Sequence, residues 1–126
     1  MTYLIDTHML IWWQQDATEL SAKARAIMLD PNNTIVVSSI TLWEIAIKVA
    51  LGKLDTDFEE VLQAVSDDGF GLLNFTPTHA GRVRSLPAIH RDPFDRALVA
   101  QALAEQMQFL THDDFISSYG TFVELA

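Results

Sequence analysis

The chain has 126 residues, enough for one domain with its own core and too few for two. Its 17 acids against 8 bases give a formal net charge of −9, which opposes non-specific attraction to nucleic acid, and the lack of cysteine excludes disulfides and thiolate-bound zinc. The apolar runs are too short to span a bilayer, and residues 1–15 carry neither a basic start nor a small-residue cleavage site, so the expectation is a cytoplasmic protein with no membrane attachment.

Residues 2–5 are apolar and β-prone and predict a strand. Residues 7–13 predict a short helix capped by Asp6 or Thr7. Residues 21–30 place Ala24, Ile27 and Met28 at helical spacing behind an N-cap at Ser21. The run Asp30, Pro31, Asn32, Asn33 predicts a turn, and residues 34–37 a β-branched strand. Ser39 or Thr41 then caps a helix reaching about Leu51, closed by Gly52. Residues 58–66 form an amphipathic helix on Val61, Leu62 and Val65, ended by Asp67, Asp68 and Gly69. Residues 72–75 predict a third strand, and residues 78–86 a helix that stops before Pro87. Asp92 and Pro93 open the clearest helix, which runs to about Met107 on Phe94, Leu98, Val99, Ala102 and Leu103. Residues 109–110 predict a short strand, residues 114–119 a helical turn and residues 122–125 a last strand.

Strands alternating with helices imply βαβ units and a mostly parallel sheet covered on both faces, in one α/β domain over residues 1–126. Ligands in such sheets bind beyond the carboxyl ends of the strands. Asp6, Asp113 and the helix carrying Glu44 all follow strands and should gather there.

Each acid has a plain structural reading beside a functional one. Asp6 can cap the helix that follows, face the crevice as a ligand, or do both. Glu44 lies in a helix that reads apolar on nearly every side. Capping cannot explain it, and an ion pair with Lys48, four residues on, is a weak reason to bury it. Asp92 precedes a proline at the first helical position and reads as an N-cap. Asp95 falls at the capping-box position, where its carboxylate either bonds back to the cap's N–H or is free to ligate. Of Asp113 and Asp114, Asp113 is nearer the strand end and is the better ligand, with Thr111 placed to orient it. The four histidines form no HxxxH pair and read mostly as surface or turn residues, with His8 and His112 beside the acids keeping a claim to the site.

Acids brought together by folding repel one another unless a cation lies between them. Carboxylates as the only strong ligands select hard ions, Mg²⁺ or Mn²⁺, which suit phosphodiester hydrolysis by an activated water. A serine-hydrolase GxSxG elbow and a phosphate-cradling glycine loop are both missing. Aspartyl-nucleophile phosphotransfer would need a second Asp at position 8, which is His8. A phospho-receiver domain would need an acceptor Asp at the end of the third strand, which reads Asn74, Phe75, Thr76.

Four stretches in order resemble the PIN domains, and among them the VapC-like toxin ribonucleases of toxin–antitoxin pairs. They are YLIDTHMLIWW at 3–13, SSITLWEIAIKVALGKL at 38–54, HRDPFDRALVAQA at 90–102 and FLTHDDFISSYG at 109–120. The resemblance implies a three-layer α/β/α sandwich and acidic metal ligands at Asp6, Glu44, Asp95 and Asp113. It also implies Mg²⁺ or Mn²⁺ as cofactor, RNA as substrate, a homodimer and a cognate antitoxin. Lys48, Arg91 and Arg96 are the bases nearest these acids in sequence and the candidates for RNA contact. A PIN nuclease outside a toxin–antitoxin pair, or a silent binding module, is the alternative.

Overall fold

The tetrapeptide Thr-Tyr-Leu-Ile is β-prone and apolar, and it forms the central strand of the computed structural model, which describes residues 1–126. The elements in chain order are β1 (Thr2–Ile5), α1 (Thr7–Gln14), α2 (Ala22–Leu29), β2 (Thr34–Ser38), α3 (Ser39–Ala50), α4 (Phe58–Asp67), β3 (Gly71–Leu73), α5 (Pro77–Val83), α6 (Pro93–Glu105), β4 (Gln108–Thr111), α7 (Asp114–Ser117) and β5 (Val123–Leu125).

All five strands are parallel, in the order β3-β2-β1-β4-β5. Tyr3 pairs with Ile35 on one side and with Gln108 on the other, and Ile5 pairs with Leu110. The chain steps outward from β1 to β2 and β3, then returns to lay β4 against the opposite edge of β1. The order therefore reverses between β1 and β4, the place where parallel sheets open a crevice at their carboxyl ends.

Alternation along the strands supplies both faces. Tyr3, Ile5, Ile35 and Val37 pack with Met9, Leu10, Met28, Val61 and Val65 from α1, α2 and α4. Leu4, Val36 and Phe109 point the other way, onto Leu98, Val99 and Ala102 of α6 and Ile116 of α7. The result is the three-layer α/β/α sandwich, and each fully buried Leu or Ile in it contributes about 1.5–3 kcal/mol.

Local signals set the element ends. Asp6, Ser21, Asp57, Thr76, Asp92 and Asp113 each cap a helix by accepting a backbone N–H. Gly52, at φ +71, turns the chain out of α3 in the left-handed region. Three expectations shift. The cap of α3 is Ser38, the last residue of β2, whose Oγ accepts the Ile40 N–H at 3.0 Å, rather than Ser39 or Thr41. The third strand ends at Leu73, and α5 stops at Val83 instead of Leu86.

Candidate metal centre

Asp6 leaves β1 at the reversal in strand order. Its Oδ1 accepts the Met9 N–H at 3.0 Å as the α1 cap, and its Oδ2 accepts the Thr111 hydroxyl from β4. The residue is 5% exposed. Burial raises its pKa, Thr111, Met9 and His8 act against that rise, and Glu44 adds to it. Capping and a place in the crevice are thus combined in one side chain. Thr111 acts on Asp6 rather than on the carboxylate of Asp113, while its oxygen accepts the Asp113 backbone N–H at 3.1 Å. One hydroxyl therefore ties together the ends of β1 and β4.

Glu44 sits in the second turn of α3 and is 7% exposed. Its Oε2 lies 2.8 Å from Lys48 Nζ, so the intrahelical pair exists. The helix is apolar in composition as expected but not buried on every side: Trp43 is 58% exposed, its ring edge-on to Phe94 at 5.1 Å. Glu44 faces inward, and Lys48 reaches it from the half-exposed flank.

The first turn of α6 separates Asp92 from Asp95. Asp92 Oδ1 accepts the N–H groups of Phe94 and Asp95 at 2.8 and 3.2 Å. The reciprocal bond of a capping box does not form, because the Asp92 N–H donates to His90 Nδ1 at 3.1 Å. The Asp95 carboxylate is thereby free of capping. Burial, then Asp92 and Asp6, raise its pKa to about 7, with Glu44 adding and His90 opposing.

His90 belongs to this centre, which corrects its reading as a turn or surface residue. Its Nε2 lies 3.2 Å from Asp113 Oδ2 and 3.4 Å from Asp95 Oδ2. Since Nδ1 accepts the Asp92 N–H, the ring proton sits on Nε2 and faces both carboxylates. The Nε2 of His90 and carboxylate oxygens of Asp95 and Asp113 all fall within 4.8 Å of one another, with His90 placed as a donor to the two acids. Asp6 and Glu44 stand behind this trio, close enough for both to raise the pKa of Asp95. Asp6 and Asp113 also share a groove of about 420 Å³ with His8, Trp12, His112 and Asp114. The feature that betrays His90 in the sequence is its place two residues before the cap, from which its ring can fold back onto the Asp92 N–H.

The remaining histidine expectation divides. His8 and His112 are exposed at the groove, whereas His79 is buried under α6. Of the bases expected to meet RNA, Arg91 is exposed, but Lys48 is paired with Glu44. Arg96 is drawn into structure: its Nη1 donates to the carbonyls of Pro87 and His90 and to the Tyr119 hydroxyl at 2.9, 3.3 and 3.2 Å. It clamps the loop that carries His90.

The PIN domain sequence model matches residues 3–120. The chain belongs to the PIN domain family. This PIN domain is also similar in structure to solved toxin–antitoxin complexes. They include VapBC2 from Rickettsia felis bound to a promoter DNA fragment (17% identity, TM-score 0.75, covering 100% of this chain and 98% of that one). A toxin–antitoxin complex from Klebsiella pneumoniae matches at 22% identity and TM-score 0.67, over 97% and 95% of the two chains. VapBC-1 from nontypeable Haemophilus influenzae matches at 21% identity and TM-score 0.64, over 99% and 98%. Likenesses at this identity speak for the fold. Comparison with curated proteins finds no match.

The residues of this PIN domain fit a hard divalent cation. The strong donors are carboxylate oxygens at one sheet edge, where burial first, and the charges of Asp92 and Asp6 after it, raise the pKa of Asp95 to about 7. A cation relieves the same repulsion that the proton relieves. An oxygen-rich set of this kind suits Mg²⁺ or Mn²⁺ better than softer metals.

Proposed function

We propose that this PIN domain is a Mg²⁺- or Mn²⁺-dependent endoribonuclease and the toxin of a toxin–antitoxin pair. The observation that supports the reading is the cluster of Asp95 and Asp113 with His90, their ligand atoms within 4.8 Å of one another, with Asp6 and Glu44 near enough for their charges to add to the raised pKa of Asp95. Asp95, Asp113 and Asp6 would hold the ion, and Glu44 would add charge from behind. Bound there, a divalent cation supplies positive charge against the phosphodiester and lowers the pKa of an attacking water. The chain's own groups prepare the site. Thr111 and the Met9 N–H fix the Asp6 carboxylate, the cap at Asp92 presents Asp95, and the Phe115 N–H holds Asp113 Oδ1 at 2.9 Å. Lys48 Nζ, 2.8 Å from Glu44 Oε2, gives that buried side chain an ion-pair partner.

The toxin role draws support from the neighbours, which are toxin–antitoxin complexes by their own descriptions. An antitoxin as partner and a homodimer complete the reading. A narrow cleft of about 220 Å³ between α1 and α4, lined by Ile11, Ile45, Leu54 and Val61, would accept an apolar side chain of such a partner.

The test is cleavage of total RNA by purified protein with Mg²⁺, with Mn²⁺ and with EDTA. Asp95→Asn and Asp6→Asn are expected to reduce cleavage to the EDTA background while circular dichroism keeps the wild-type spectrum. Wild-type cutting rates in the Asp95→Asn protein would sink the assignment. Induced expression should halt growth for the wild type and not for Asp95→Asn.

A further inference from the structure

The groove floored by Asp6 and Asp113 is walled by rings. Trp12 of α1 lies between two histidines, with centroids 5.6 Å from His8 and 5.3 Å from His112. Phe115 also lines the groove and is 70% exposed, although the next residue, Ile116, is fully buried. The short helix α7 thus turns Ile116 into the core and Phe115 out over the groove. Such an exposed aromatic does nothing for folding.

The charge of the groove narrows what these rings can hold. Its charged lining residues are Asp6, Asp113 and Asp114, and neither lysine nor arginine lines it. A surface that follows a phosphate backbone needs bases, and this one repels phosphate away from the ion site. What it offers instead is π faces, which attract an unpaired nucleobase whatever its identity. A base in a duplex is already stacked on its neighbours and is not free to lie on an exposed ring.

We propose that Trp12, flanked by His8 and His112, and Phe115 form a stacking subsite for one unpaired base of the RNA next to the scissile phosphate. This inference rests on the nuclease reading above and adds to it a place on the protein for one base beside the cut. A backbone link couples the subsite to the metal centre: Asp113, one of the proposed ligands, also caps α7 through the N–H of Phe115 itself. The side chain that would hold the ion therefore also sets the position of the stacking ring.

The experiment scans an abasic residue, one position at a time, along a short single-stranded RNA that the wild-type protein cuts. At one position beside the cut, losing the base is expected to raise KM about 5- to 100-fold, the range of base–aromatic stacking. Phe115→Ala should raise KM for intact RNA by a similar factor, and the abasic substrate should show no further rise in that variant. Phe115→Trp should keep the wild-type KM. Mg²⁺ affinity by calorimetry should be the same in all three proteins, which separates stacking from loss of the ion. Cleavage with no abasic position altering KM overturns the subsite and leaves the nuclease reading intact. Unchanged KM in Phe115→Ala, with weakened binding of a co-expressed antitoxin, overturns it in favour of a protein-docking surface. Absence of any RNA cleavage would instead strike the nuclease reading on which the subsite depends.

Discussion

Asp95 is where the chemistry of this PIN domain is most exposed to measurement. Burial and the charges of Asp92, Asp6 and Glu44 raise its pKa from 3.8 to about 7. A carboxyl with a raised folded pKa binds a proton in the folded state that the unfolded chain has already released. Metal-free stability therefore falls as pH rises from about 4 to about 7 and levels off above. Replacing the carboxyl by its neutral isostere removes this dependence. In EDTA at about pH 8, Asp95→Asn is expected to melt above the wild type, by roughly 4 °C for each kcal/mol recovered, and at about pH 4 the two should coincide. The same proton competes with the ion, so Mg²⁺ affinity in the wild type should climb through about pH 7. Scanning calorimetry across pH checks both. A wild-type melting temperature in EDTA that rises between about pH 5 and about pH 8, unmatched in the variant, would contradict the raised pKa.

At the scale of elements, α5 shows what the sequence conceals. Its capping box joins Thr76 to His79, and the His79 ring is 1% exposed. Nδ1 accepts the Thr76 N–H at 3.0 Å and faces the Gln101 Nε2 at 3.3 Å, so Nε2–H donates to Glu105 at 2.8 Å. Gln101 is itself buried and accepts the Ser38 hydroxyl at the end of β2. The chain Ser38–Gln101–His79–Glu105 fastens α5 and α6 to the carboxyl edge of the sheet. His79→Leu leaves the Thr76 N–H and the Gln101 amide without partners, and is expected to cost about 1–3 kcal/mol for each group left unsatisfied. Urea denaturation measures it, and a change within about 0.5 kcal/mol would refute the network's role. Periodicity and capping chemistry made every strand and helix legible to within a few residues, because those signals are local. The acids were legible because they interrupt apolar runs or follow strand ends. His79 and His90 were not, since a lone histidine bonds to groups that only folding brings near: Glu105 is 26 residues away from the first, and Asp113 is 23 from the second. Thr111 was seen as an orienting group but paired with the wrong acid, because Asp6 lies 105 residues earlier in the chain.

Across the whole molecule, charge limits how the proposed RNA substrate could be held. Of the 8 bases, Lys23, Arg25 and Lys48 are paired with acids, and Arg96 is bound to backbone carbonyls and Tyr119. Lys53, Arg82, Arg84 and Arg91 are left, all exposed and without a carboxylate partner. Arg82 and Arg84 share an open groove beside α5 with Thr78 and Ser85, which places half of the free charge on one side. Each phosphate neutralised on a single strand contributes a slope of about −0.7 to the dependence of log K on log salt. Four free bases therefore set a slope no steeper than about −3 for one chain, and a homodimer engaging both copies would at most double it. A nuclease that relied on backbone charge would be steeper, and its affinity would collapse with salt. On the proposed reading the ion at the acids and the rings beside it would supply the rest, and neither is screened like an exposed base. The check is the binding of single-stranded RNA to Asp95→Asn protein, titrated across about 50 to 200 mM salt. Adding Arg82→Glu and Arg84→Glu to that variant should flatten the slope by about 1.4, and a slope well beyond about −6 in Asp95→Asn itself would show that charge elsewhere, or a higher assembly, carries the RNA.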